Sequence, residues 1–212
     1  MFFYLSIIII TCFLFHCASN IKKGSYRLFF CVISIIPASV IAGLRDLNIG
    51  QDLMGYGILF FERAKYVKSF IALFDDIESK EYGYHALNYI CSKINNDIHF
   101  LLVVMEFFKL LLVILSVLSF GKFVKNGYLI LMTYMLFMYC EGLSLMRQSL
   151  ALAICLFSLT FFFKKEYVKY IITVIVAYLF HNSAIIFFIL PFMTILYNKL
   201  KNPMHVTILG IT

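Results

Sequence analysis

The sequence predicts an all-α fold: a polytopic helical membrane protein of about seven to eight spans, with one long amphipathic segment outside the bilayer. Three observations predict it. Of 212 residues, 63% are hydrophobic and 14% charged, with a mean hydropathy of +0.94, against an apolar share of about 45–50% in soluble domains. The apolar residues gather into runs approaching the roughly 20 residues that a spanning helix needs. The short connections between runs are basic, as cytoplasmic loops are. The chain reads as a single transmembrane domain, 1–212, with an outer loop over about 45–98 between the second and third spans.

The first run, 2–17, lacks a basic n-region and a small-x-small cleavage site, and Lys22 and Lys23 follow it, so it reads as a retained span. Further spans are expected at 28–44, 100–120, 128–146, 150–163, 168–180 and 184–197, with an eighth beginning at His205 and cut off at Thr212. In the polar interval 42–97, Ile58, Phe61, Ala64, Phe70 and Phe74 recur at helical spacing among charged residues. They predict an amphipathic helix over 53–77 lying in the interface plane. A short helix is expected over 83–93.

The connections 19–27, 121–127, 164–169 and 198–203 carry Lys22, Lys23, Arg27, Lys122, Lys125, Lys164, Lys165, Lys169, Lys199 and Lys201, and of the acids only Glu166. They belong on the cytoplasmic side, which turns the N-terminus and the 42–97 interval outward. Glu141, Arg147 and the His181-Asn182-Ser183 turn then share that outer side. Because most lysines serve these loops, the net charge of +7 is no mark of a nucleic-acid partner. The six cysteines form no C-x-x-C pair and fit neither a disulfide framework nor a zinc site.

Four polar groups need a reason. Arg45 leaves the second span in Gly43-Leu44-Arg45-Asp46 and reads either as an anion fork or as an interfacial arginine paired with Asp46. Arg147-Gln148 interrupts an apolar run from 129 to 163, and a charge there calls for a partner. Glu141, six residues earlier, is on another helical face. Glu106 and Lys109, at i, i+3 inside the third span, neutralise each other apart from the outer group. His181 is either a general base or the cap of its own turn with Asn182 and Ser183.

Four stretches together resemble the EpsG family, a branch of the Wzy-type bacterial polysaccharide polymerases. They are Gly43-Leu44-Arg45-Asp46 with Ile49-Gly50-Gln51-Asp52 and Tyr56; Glu81-Tyr82-Gly83-Tyr84 with Leu87-Asn88; Arg147-Gln148-Ser149-Leu150-Ala151; and Phe180-His181-Asn182-Ser183-Ala184. Gln51 stands where many relatives have a small polar residue, and the chain is shorter than its relatives, so a C-terminally truncated member is expected.

The resemblance implies a metal-independent, cofactor-free glycosyltransferase of the bacterial cytoplasmic membrane. It would join oligosaccharide repeat units carried on undecaprenyl diphosphate at the outer face, into exopolysaccharide, capsule or O-antigen. The bilayer, a flippase and a chain-length regulator are the implied partners. His181, Arg147 and Glu81 are the catalytic candidates: Arg147, with Arg45, to hold the diphosphate and stabilise the developing charge, and His181 as the base, with Glu81 or Asp52 competing. Arg45, Asp52, Tyr56, Tyr84, Asn88 and Gln148 are the substrate-binding ones. A flippase or transporter of lipid-linked oligosaccharide, or a non-catalytic assembly subunit, are the alternatives. No H-E-x-x-H or G-x-S-x-G pattern supports a protease or acyltransferase.

Overall fold

A computed structural model describes residues 2–72, 81–121 and 126–200, with side chains to 197. Every regular element among them is helical: α1 (Phe2–Ser19), α2 (Gly24–Ser34), α3 (Ile36–Gly43), α4 (Ile58–Tyr66), α5 (Tyr82–Ile94), α6 (Ile98–Phe120), α7 (Gly127–Tyr134), α8 (Cys140–Ser144), α9 (Met146–Phe163), α10 (Tyr167–Phe180) and α11 (Ile189–Leu200). Among the described residues four segments are long and apolar enough to cross a membrane: α1, α2 with α3, α6 and α9; α10 and the Asn182–Tyr197 segment are shorter apolar helices.

Local chemistry sets the boundaries. The second span starts at Gly24, four residues before its predicted start, and breaks at Ile35 because Pro37 opens α3. α6 starts where the Asp97 carboxylate accepts the His99 N–H. α9 ends in a Schellman turn: Glu166 N–H donates to Phe161 O and Lys165 N–H to Phe162 O, with Lys165 at φ 61°. α7 and α8 are joined by a π-helical turn, Met135–Tyr139, whose Tyr139 hydroxyl donates to Ala38 O at 2.7 Å.

Two expected elements are corrected. The amphipathic helix does not run over 53–77: a π turn at Leu53–Gly57 leads into α4, and at Val67 the backbone turns extended (ψ 128°). Phe61 and Ala64 are buried against α5, whereas Phe70 is exposed. Phe74 and the end of that expected helix lie outside the described residues, as does the eighth span from His205. The fifth span begins at Met146, not at 150, so Arg147 sits in the first turn of α9. A single residue, Leu145 (φ −107°, ψ 64°), separates it from α8. The short helix expected at 83–93 is α5.

α6 is the axis of the bundle. Leu110, Val113, Ile114 and Val117 pack with α1, α2, α3 and α7, while Leu101, Leu102 and Met105 pack with α4, α5, α9 and α10. α3 lies close on it through Ala38, Ser39, Ala42 and Gly43; a Cβ on Gly43 would stand 2.8 Å from Val103 N. Phe2, Phe13, Phe137 and Val168 are exposed, as lipid-facing side chains are. Among the described residues, the chain order puts 44–72 and 81–97, the α8–α9 turn and the α10–Asn182 turn at one end, opposite the α1–α2 and α9–α10 connections.

Candidate active site

Two strips of chain about 95 residues apart run side by side at that end. Arg45 donates to Leu143 O, Gln51 N–H donates to Ser144 Oγ at 3.3 Å, and Asp52 meets Arg147. Gly50 (φ +114°) comes so close that a Cβ there would stand 2.5 Å from Leu143 O, a conformation and a gap that favour glycine.

Arg147 is the centre. The α9 N-cap, Leu145, has no side chain to accept the free N–H groups of the helix start. Asp52 does this from the other strip: its Oδ2 accepts the Arg147 backbone N–H at 3.2 Å, where the helix dipole favours a carboxylate. The same carboxylate takes Arg147 Nε at 3.4 Å and Nη2 at 3.2 Å. Glu81, which precedes α5, takes Nη1 at 2.5 Å through Oε2. The guanidinium carbon lies 4.5 Å from the Tyr56 ring centre and 5.8 Å from that of Tyr84, both favourable to a cation. Glu81 Oε1 faces His181 Nε2 at 3.8 Å. His181 Nδ1 accepts the Ser183 N–H at 3.2 Å and lies 2.8 Å from Ser183 Oγ.

The side chains of Asp52, Glu81 and Arg147 are only 10%, 7% and 13% exposed, and that of His181 27%, so the group opens at the imidazole. One guanidinium between two carboxylates leaves an excess negative charge when His181 is neutral. Arg147 therefore does not stand as an open anion hook; it must exchange a carboxylate for any phosphate that arrives.

The other predicted site residues fall elsewhere. Arg45 is 5% exposed, is not paired with Asp46, and gives its donors to protein: Nη1 to Ala42 O at 2.7 Å, Nε to Ile49 O at 3.2 Å, Nη2 to Leu143 O at 3.2 Å and Met146 Sδ at 2.9 Å. Burial lowers its pKa, with Glu106 the foremost charge opposing that. Tyr84 is fully buried beneath Arg147, and buried Asn88 donates to Tyr84 O on its own helix. Gln148 points away from the cluster, into a cavity of about 170 Å³ lined with Tyr134, Met138, Glu141, Leu145 and Leu152. Glu106 and Lys109 do pair, at 2.7 Å and buried, but they are not remote from the site end: they share a small cavity with Arg45, Met146 and Ser149. Buried His85, which sequence reasoning passed over, packs edge-on to Phe60, and burial, then Arg63 and Arg147, push it down to about 4. Among the described residues no three His, Cys, Asp or Glu side chains converge to hold a metal ion.

The EpsG family model matches residues 28–212, which take in the whole cluster. The chain belongs to the EpsG family. Membership gives this EpsG protein a polysaccharide polymerase-like character, of the Wzy kind, in a helical membrane fold. No curated protein and no solved structure matches it.

Proposed function

We propose that this EpsG protein is a polymerase of lipid-linked oligosaccharides. It transfers a glycan from undecaprenyl diphosphate onto a hydroxyl of a second repeat unit at the outer face of the bacterial cytoplasmic membrane, with the N-terminus outside. One observation carries the reading: Asp52, Glu81, Arg147 and His181, from four separate stretches, meet in one partly covered group.

In the reaction the acceptor oxygen bonds to the anomeric carbon, the bond from that carbon to the phosphate oxygen breaks, and the lipid diphosphate leaves. Both Asp52 oxygens are spent on Arg147 and its helix start, so Asp52 orients and is not the base. Ser183 N–H donates into His181 Nδ1, which leaves the proton of the neutral ring on Nε2, toward Glu81. Glu81 Oε1, 3.8 Å from that nitrogen, is then the atom that takes the acceptor's proton. A phosphate oxygen that draws Arg147 Nη1 away from Glu81 does two things at once: it gains a cationic partner for the leaving group and releases the base. Tyr56, exposed beside Arg147, is the aromatic face offered to sugar.

Supply of repeat units by a flippase and length control by a regulator fit this placement. The transporter reading draws on the buried Arg45, Glu106 and Lys109, but their cavity of about 10 Å³ has room for little more than one water. In cells, Arg147→Ala or Glu81→Gln is expected to abolish long chains while single units accumulate on the lipid and the protein stays in the membrane. A normal glycan ladder from either variant removes that residue from the site. Membranes supplied with units already facing outward still elongate them if the protein is a polymerase and do not need it if it is a flippase.

A further inference from the structure

We infer that Arg45, with Glu106 as its counter-charge, is a positioning residue: it fixes the α8–α9 turn and so the angle at which Arg147 is presented, without touching substrate. What this does for chain growth rests on the polymerase reading; the geometry does not.

Arg45 binds three pieces of chain with one planar group. Nη1 holds the end of α3 at Ala42, Nε holds its own loop at Ile49, and Nη2 holds the turn at Leu143 and Met146. Met146 is the residue before Arg147, and it opens α9. A guanidinium presents its donors in a fixed fork, whereas an ammonium at the same place is a point charge on a flexible stem. Lysine therefore keeps the charge and loses the geometry.

The four acceptors are neutral, so the charge of Arg45 needs compensation from beyond them. Glu106, whose ion pair is with Lys109 at 2.7 Å, lines the same cavity and offsets part of that charge. The Lys109 ammonium lies against Gly142, where a Cβ would stand 2.4 Å from Nζ. Gly142, Met146 and Ser149, on the two helices that flank the turn, line the same cavity. A charge removed from this cavity is thus felt by the segment that carries Arg147. Arg45 and Arg147 divide the work: one builds the mount, the other is mounted.

The chain has four arginines, Arg27, Arg45, Arg63 and Arg147, so their side-chain Nε–H resonances are resolvable in the full chain labelled with nitrogen-15 arginine in lipid nanodiscs. Arg45→Lys and Glu106→Gln are expected to shift the Arg147 resonance and to speed its proton exchange by about tenfold, as one weakened hydrogen bond does, while the Arg27 resonance stays put. Met146→Leu, which keeps the volume and removes one acceptor, gives a smaller shift in the same direction and carries the test with Glu106→Gln if Arg45→Lys fails to fold. An unmoved Arg147 resonance in a folded variant overturns the inference. So does added inorganic diphosphate that perturbs the Arg45 resonance and not that of Arg147. Failure of the wild type to make polymer overturns the function proposed above and leaves this result standing.

Discussion

Removing Asp52 tests how the centre is held. Its carboxylate does two jobs for residue 147: it accepts the backbone N–H of the α9 start, and it pairs with Nε and Nη2. Loss of an N-terminal cap costs about 1 kcal/mol. Breaking a buried ion pair from one side costs about 3–5 kcal/mol; Glu81 keeps Nη1, so roughly half of that applies. Asp52→Ala is then expected to cost about 3 kcal/mol, which for a chain of this size is a fall of about 6–12 °C in Tm. Asp52→Asn retains an acceptor for the N–H and loses the charge, so it costs about 2 kcal/mol. Thermal unfolding of the purified protein in detergent reads both. The reasoning is refuted if Asp52→Ala stays within about 2 °C of wild type, or if Asn is no better than Ala.

Tyr56→Ala removes the ring under Arg147 and should cut polymer output by the weight of a cation–π contact, about 0.5–2 kcal/mol; Tyr56→Phe should keep it, which a glycan ladder shows. Gly50→Ala places a Cβ 2.5 Å from Leu143 O at φ +114° and should lower stability by about 1–3 kcal/mol. Gly55→Ala, which meets nothing within 4 Å, serves as its control in the same melt. His85 is held at about 4 against an ordinary 6.5, so below pH 6.5 the unfolded chain takes the proton first. Its stabilising contribution is full above pH 6.5 and is lost as pH falls toward 4; His85→Phe should flatten the dependence of Tm on pH across that window.

The spans were legible because runs of apolar residues need no partner to be recognised. Arg147 was legible for the opposite reason, as a charge in an apolar run with no neighbour on its own helix able to neutralise it. Its partners were only half legible: Asp52 and Glu81 stood out in the polar interval, but a carboxylate capping a helix that begins about 95 residues later leaves no local trace. Arg45 shows the limit most clearly. A guanidinium beside two glycines looks the same in sequence whether it faces an anion or four neutral acceptors of its own chain. The early end of α4 was hidden because the apolar spacing continues to Phe70 after the backbone has left the helix at Val67.

The close approach of α3 to α6 has a consequence for how this protein can change. His99 Nδ1 lies 2.7 Å from Gly43 O and donates to it, just where Gly43 lets the two backbones touch. The long detour between them thus departs and returns through a single gate that is already fastened. The closure entropy of such an excursion grows only slowly with its length, so its exposed positions can change while Leu53, Phe61, Tyr84 and Cys91, packed on the membrane helices, keep their places. A hybrid that carries a foreign detour on these helices must still seat the side chains that meet the α8–α9 turn and Arg147: Arg45, Asp52, Tyr56 and Glu81.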